Sequence, residues 1–115
     1  MISPVLARSE DFLNWLLPHT ARWPKVHRIG VTSRLEGATV DLVHCLAAAN
    51  RMRGVHRLRA LDEADGHLDS VRILMRVGLA LRHLSKRQHE FAARGMEEIG
   101  RLIGGWKRVT GEGPD

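Results

Sequence analysis

With 115 residues and a formal charge of +5, the chain has the size of one domain with one core, long enough to bury roughly two-thirds of the surface that its unfolded form exposes. Cys45 is the single cysteine, which excludes an intrachain disulfide and a cysteine-based zinc cluster and points to a reducing compartment, the cytoplasm. No apolar run approaches the ~18 to 20 residues of a membrane span, and the opening MISPVLARSEDF lacks a secretory pattern.

Helix formers dominate, tyrosine is absent and β-branched residues seldom adjoin, so the fold class is all-α. A first helix is expected from about Ser9, whose hydroxyl caps it while Glu10 and Asp11 suit the first turn. Phe12, Leu13, Leu16 and Leu17 form its apolar side, and Pro18 disturbs its last turn. Two starts compete for the second helix. Pro24 fits a first helical position, whereas Ser33 and Glu36 form an S-x-x-E capping box that leaves residues 24–32 as a separate turn before a helix beginning at Arg34. From Leu35, the positions Ala38, Leu42, Cys45, Ala49 and Met52 then step by three and four and bury one face.

Gly54 reads as a stop. A third helix from Val55 or Arg57 carries Leu58, Leu61, Leu68, Val71, Met75 and Leu79 on one face, widened by Leu74, Val77, Leu81 and Leu84. Ser85 caps a fourth, with Ala92, Met96, Ile99, Leu102 or Ile103, and Trp106 in phase. Gly104 and Gly105 weaken its end, and residues 109–115 are expected to be a flexible tail. Four helices with short links predict an up-and-down antiparallel four-helix bundle spanning residues 1–108.

The charges are segregated. RWPKVHRIGVTSR, residues 22–34, holds cations at the start of a helix, where the dipole favours carboxylates. No acid occurs between Asp11 and Glu36, nor between Asp69 and Glu90. In an up-and-down bundle these windows meet at one pole, which collects Arg22, Lys25, Arg28, Arg82, Lys86 and Arg87, with His19, His27, His83 and His89 nearby. The expected partner is a polyanion, RNA or DNA, held by its phosphate backbone with little sequence specificity. Arg51, Arg53 and Arg57 at the other pole are second candidates, although Asp62, Glu63, Asp65 and Asp69 follow them. A solvated helix face remains the plain alternative for any one charge run. Trp23 is the only aromatic in the basic stretch and reads as a core plug, with base stacking as its alternative.

Catalytic and metal patterns are missing. There is no P-loop, Rossmann or G-x-S-x-G signature, and Asp41 with His44 is the only near match to a bundle di-metal motif, so no enzyme activity, metal or cofactor is expected. Adjacent His44 and Cys45 point about 100° apart on a helix and do not form a nucleophile pair. Cys45 reads as a small core residue.

LRHLS at 81–85, Arg87 with Gln88, EEIGRLIGGW at 97–106 and the Trp23-Pro24-Lys25 signal, together with RLEGATVDLVHCLAAAN at 34–50, resemble the accessory variability protein (Avd) family of bacterial diversity-generating retroelements. The resemblance covers most of residues 10–108. It implies a four-helix bundle without catalytic activity that assembles into a basic, barrel-like homopentamer and binds nucleic acid together with a reverse transcriptase during synthesis of mutagenised cDNA from a template RNA. Trp23 and His89 depart from the aromatic residues expected of that family at these places. Four-helix proteins encoded by intervening sequences in ribosomal RNA genes share the bundle, and that resemblance implies an adaptor docking an acidic protein partner instead.

Overall fold

The computed structural model describes residues 2–112, which form four helices: α1 (Pro4–Thr20), α2 (Ser33–Arg51), α3 (Gly54–Ala80) and α4 (Lys86–Glu112). No strand occurs among the described residues. Each helix packs on its neighbours in sequence, α2 against α3 most extensively, and α1 closes the bundle against α4. The molecule is an all-α up-and-down four-helix bundle, 49 × 24 × 22 Å.

Local chemistry sets the ends of the helices. Ser3 caps α1, its hydroxyl accepting from the Leu6 amide at 3.2 Å, and Pro4 takes the first helical position, where no amide is required. Ser9 is therefore not a cap: it is buried one turn inside and donates to the Leu6 carbonyl at 2.8 Å. Pro18 is accommodated within the last turn of α1. The Ser33–Glu36 capping box does not form, because a 3-10 turn (Lys25–His27) and a π-helical turn (Arg28–Thr32) run straight into α2 and leave Ser33 helical. Pro24 precedes the 3-10 turn. The reciprocal box stands instead at the head of α4, where the Gln88 amide donates to Ser85 Oγ at 3.0 Å and the Ser85 amide donates to Gln88 Oε1 at 2.8 Å.

Gly54 begins α3 and does not end α2, which stops at Arg51. Its φ of 55° turns the chain through a link of two residues, Met52 and Arg53, a conformation that glycine adopts at little cost. At the other end, α4 continues through Gly104 and Gly105 to Glu112, so residues 109–112 of the expected tail are helical and Thr110 is buried. The rest of that tail lies outside the described residues.

The core runs along the bundle axis through Leu16, Leu35, Leu42, Leu46, Leu61, Leu68, Met75, Ile99 and Ile103, all fully buried. Burying each such side chain favours the fold by roughly 1.5–3 kcal/mol. The buried face of α2 is Leu35, Thr39, Leu42, Leu46 and Ala49: Leu35, Leu42 and Ala49 are as expected, and Thr39 and Leu46 take the places expected of Ala38 and Cys45. Ala38 and Cys45 sit at its edge, half-buried, and Met52 lies beyond the helix. Thr39 enters the core because its hydroxyl donates to the Leu35 carbonyl at 2.8 Å.

Two clusters fix the pole opposite the α2 start. The Ser3 amide donates to Asn50 Oδ1 at 3.1 Å, joining the head of α1 to the foot of α2. Lys107 reaches Asp62 at 2.7 Å and Asp65 at 2.9 Å, clamping α4 to α3, and these hydrogen bonds hold its ammonium pKa above the usual value.

Candidate nucleic-acid interface

The lead-in to α2, the end of α3 and the link to α4 meet, as the up-and-down topology predicts. Trp23 is only 6 % exposed and fills the space between them: a Cβ added at Gly78 would lie 2.6 Å from its ring and 3.1 Å from Leu84. Glycine at 78 is thus what lets the indole come this close to α3. Trp23 is the core plug, and its burial removes it as a base-stacking residue.

Two histidines complete the joint. His27 Nδ1 and His83 Nε2 are 2.9 Å apart, with ring centroids separated by 4.9 Å, and the Trp23 ring lies 5.2 Å from that of His83. One imidazole donates and the other accepts, so the bond tolerates at most one imidazolium. Burial, with His27 second, pushes the His83 pKa below its usual 6.5. A base that binds protons less readily when folded stabilises the fold above its unfolded pKa, and that stability is lost as pH falls below about 6.5. The melting temperature is expected to drop between pH ~7.5 and ~5.5. His83→Gln should flatten that part of the profile; an unchanged profile in the variant would show that the pair does not control it.

The link between α3 and α4 is a Schellman turn. The His83 amide donates to the Gly78 carbonyl at 2.9 Å and the Arg82 amide to the Leu79 carbonyl at 3.0 Å. The residue that must be left-handed in this motif, usually glycine, is Arg82, with φ 63°. It is the only non-glycine with positive φ among the described residues. A left-handed conformation costs an ordinary residue roughly 1–2 kcal/mol, and here that strain holds an exposed guanidinium at the tip of the pole.

Arg22, Lys25, Arg82, Lys86 and Arg87 are exposed, and none of them pairs with a carboxylate among the described residues. Arg28 differs. It is half-buried, lies 3.8 Å from Glu36 and donates to the Thr20 carbonyl at 3.5 Å, while Thr20 donates to Glu36 at 2.6 Å. Its charge is spent tying the π-helical turn to α1 and α2. The His19 ring lies against Trp15, with centroids 4.4 Å apart, and His89 Nε2 is buried without a hydrogen-bond partner. Arg34 and Arg76 fall in the same acid-free windows and are exposed, which the windows themselves could have signalled.

At the other pole the second set is partly engaged. Arg57 donates to the Ala49 carbonyl at 2.9 Å and lies 5.1 Å over the Trp106 ring, closing the foot of α2 against α4. Arg51 lies against its own helix, donating to Ala47 at 3.4 Å, and Arg53 is exposed in the link.

Among the described residues, no helix is long and apolar enough to cross a membrane, and no group of three or more His, Cys, Asp or Glu is placed to hold a metal ion. Cys45 is half-buried between α2 and α3, 3.9 Å from Glu63. Burial, then the Glu63 and Asp41 carboxylates, push its thiol pKa up, which disfavours the reactive thiolate.

No curated protein matches the chain. The model of the bAvd-like family matches residues 4–110, from the first helical residue to the buried threonine near the end of α4, and the chain belongs to that family.

Proposed function

We propose that this chain is a non-catalytic accessory subunit that holds RNA, or an RNA–DNA hybrid, by its phosphate backbone on the α2/α3/α4 pole. In this reading it acts beside a retroelement reverse transcriptase during mutagenic cDNA synthesis in the cytoplasm. Membership of the bAvd-like family supports the accessory role. The observation that carries nucleic-acid binding is the set of five exposed cations, Arg22, Lys25, Arg82, Lys86 and Arg87, drawn from distant segments and left without carboxylate partners. Assembly into a homopentamer, as in the Avd resemblance, would repeat this pole around a ring and let weak contacts add through effective concentration.

Five phosphate contacts per bound site predict that log K for duplex falls with log salt at a slope near −4.5, and less steeply on single strands. Filter binding at several salt concentrations measures it. A slope near zero, or no binding at low salt, overturns the reading.

One observation favours a second reading. Val26 and Ile29, 82 % and 84 % exposed, stand beside Lys25 and Arg28 on the turn before α2. An acidic protein could cover both the cations and these apolar side chains, making the chain an adaptor. Competition separates the two: excess RNA displaces a bound protein partner in part or whole if the pole is a phosphate site, and leaves it in place if the pole is an adaptor surface.

A further inference from the structure

The seam between α1 and α4 carries an aromatic cluster that the phosphate pole does not use. Phe12, Trp15 and Phe91 form a continuous series, with ring centroids 5.9 Å apart for Phe12 and Trp15 and 5.2 Å apart for Trp15 and Phe91. They line an open cleft of about 460 Å³, with Gly95 and Ile99 at its floor. A Cβ at Gly95 would meet Phe12 at 3.4 Å, in ordinary contact, so the cleft is packed from below. Phe91 is 52 % exposed.

The charges around this ring distinguish its occupant. Arg87 and Arg94 lie four residues before and three after Phe91, on the same face of α4, and both are exposed without a carboxylate partner among the described residues. The two acids of the rim are already taken, Glu98 by Arg8 at 2.8 Å and Asp11 by Arg8 at 3.7 Å. A protein surface closing on Phe91 would bury those two guanidinium groups and would need carboxylates to meet them. A nucleotide brings a π-face for the ring and a phosphate for each flanking cation. Arg87 also belongs to the pole, so one of the two cations beside Phe91 is shared with it.

We propose that Phe91, backed by Trp15 and flanked by Arg87 and Arg94, is a stacking site for unpaired bases of single-stranded nucleic acid entering from the phosphate pole. This rests on the reading given under Proposed function and adds a preference to it: duplex engages the pole alone, whereas single strands engage pole and cleft together.

The test compares an oligouridylate of about 15 nucleotides with the same strand annealed to oligoadenylate, using the full chain and light scattering to monitor assembly. Phe91→Ala is expected to weaken single-strand binding about tenfold or more while leaving duplex binding within about twofold. Phe91→Leu, which keeps apolar area but has no π-face, is expected to behave like Phe91→Ala. An equal loss on both ligands, no loss on the single strand, full affinity retained by Phe91→Leu, or a changed oligomer mass each overturns the stacking site, the last by making the cleft a contact between copies. A parent protein that binds neither ligand overturns the phosphate pole itself; a parent that binds both, with Phe91 variants indistinguishable from it, sinks only the cleft.

Discussion

Replacing Lys86 and Arg87 together by glutamate is expected to lower affinity for structured RNA about a hundredfold or more at moderate salt, and to reduce the salt slope by about 2. Both residues lie in the first turn of α4, which contains no acid. The partial positive charge of a helix start disfavours cations and favours carboxylates by about 0.3–1 kcal/mol each. The substitutions therefore remove a local electrostatic penalty, and the double variant should melt at or above the temperature of the parent. Loss of binding with undiminished stability is the signature of side chains held for an external anion. Should the double variant bind RNA as the parent does, these two residues are not phosphate contacts. A parallel fall in stability and binding would mean that they serve the fold.

Trp23→Ala is expected to destabilise the protein by about 3–5 kcal/mol in chemical denaturation. The indole is buried against Gly78 and beside the His83 ring, at the junction of the α2 lead-in with α3 and the α3–α4 link. Small domains are stable by about 5–15 kcal/mol in all, so the loss is a large share of the total. It should also free the 3-10 turn that carries Lys25 and His27, and RNA affinity should weaken even though no cation has been removed. A cost below about 1 kcal/mol would show that the pole is held together elsewhere.

The fold was legible because four long apolar periodicities and short links leave few alternatives to a bundle. Phase was less so. On α2 the small residues Ala38 and Cys45 count as apolar by composition, yet the core needs volume, and it takes Leu46 in place of Cys45 and, in place of Ala38, Thr39, whose hydroxyl is satisfied by its own helix. End signals misled where two similar ones compete. Ser3 outranks Ser9 because Pro4 follows it, and Ser85 with Gln88 forms the box that Ser33 and Glu36 do not, since the chain before Ser33 is already helical.

The convergence of the two acid-free windows followed from topology, and the structure brings those segments together. That Arg28 is drawn off by Glu36 and Thr20 depends on contacts between α1 and α2 that no spacing encodes. Trp15 and Phe91 were invisible for the opposite reason. They lie off the buried stripes, one on each of two helices distant in sequence, and only the closure of α1 on α4 makes them neighbours.

If the pole holds phosphate as proposed, the left-handed arginine at the α3–α4 turn sets backbone ease against binding at a single position. Glycine at position 82 would relax the backbone there while deleting a positive group from the rim of the pole. Under the function proposed above, Arg82→Gly would therefore give a protein that is harder to melt and holds phosphate more weakly.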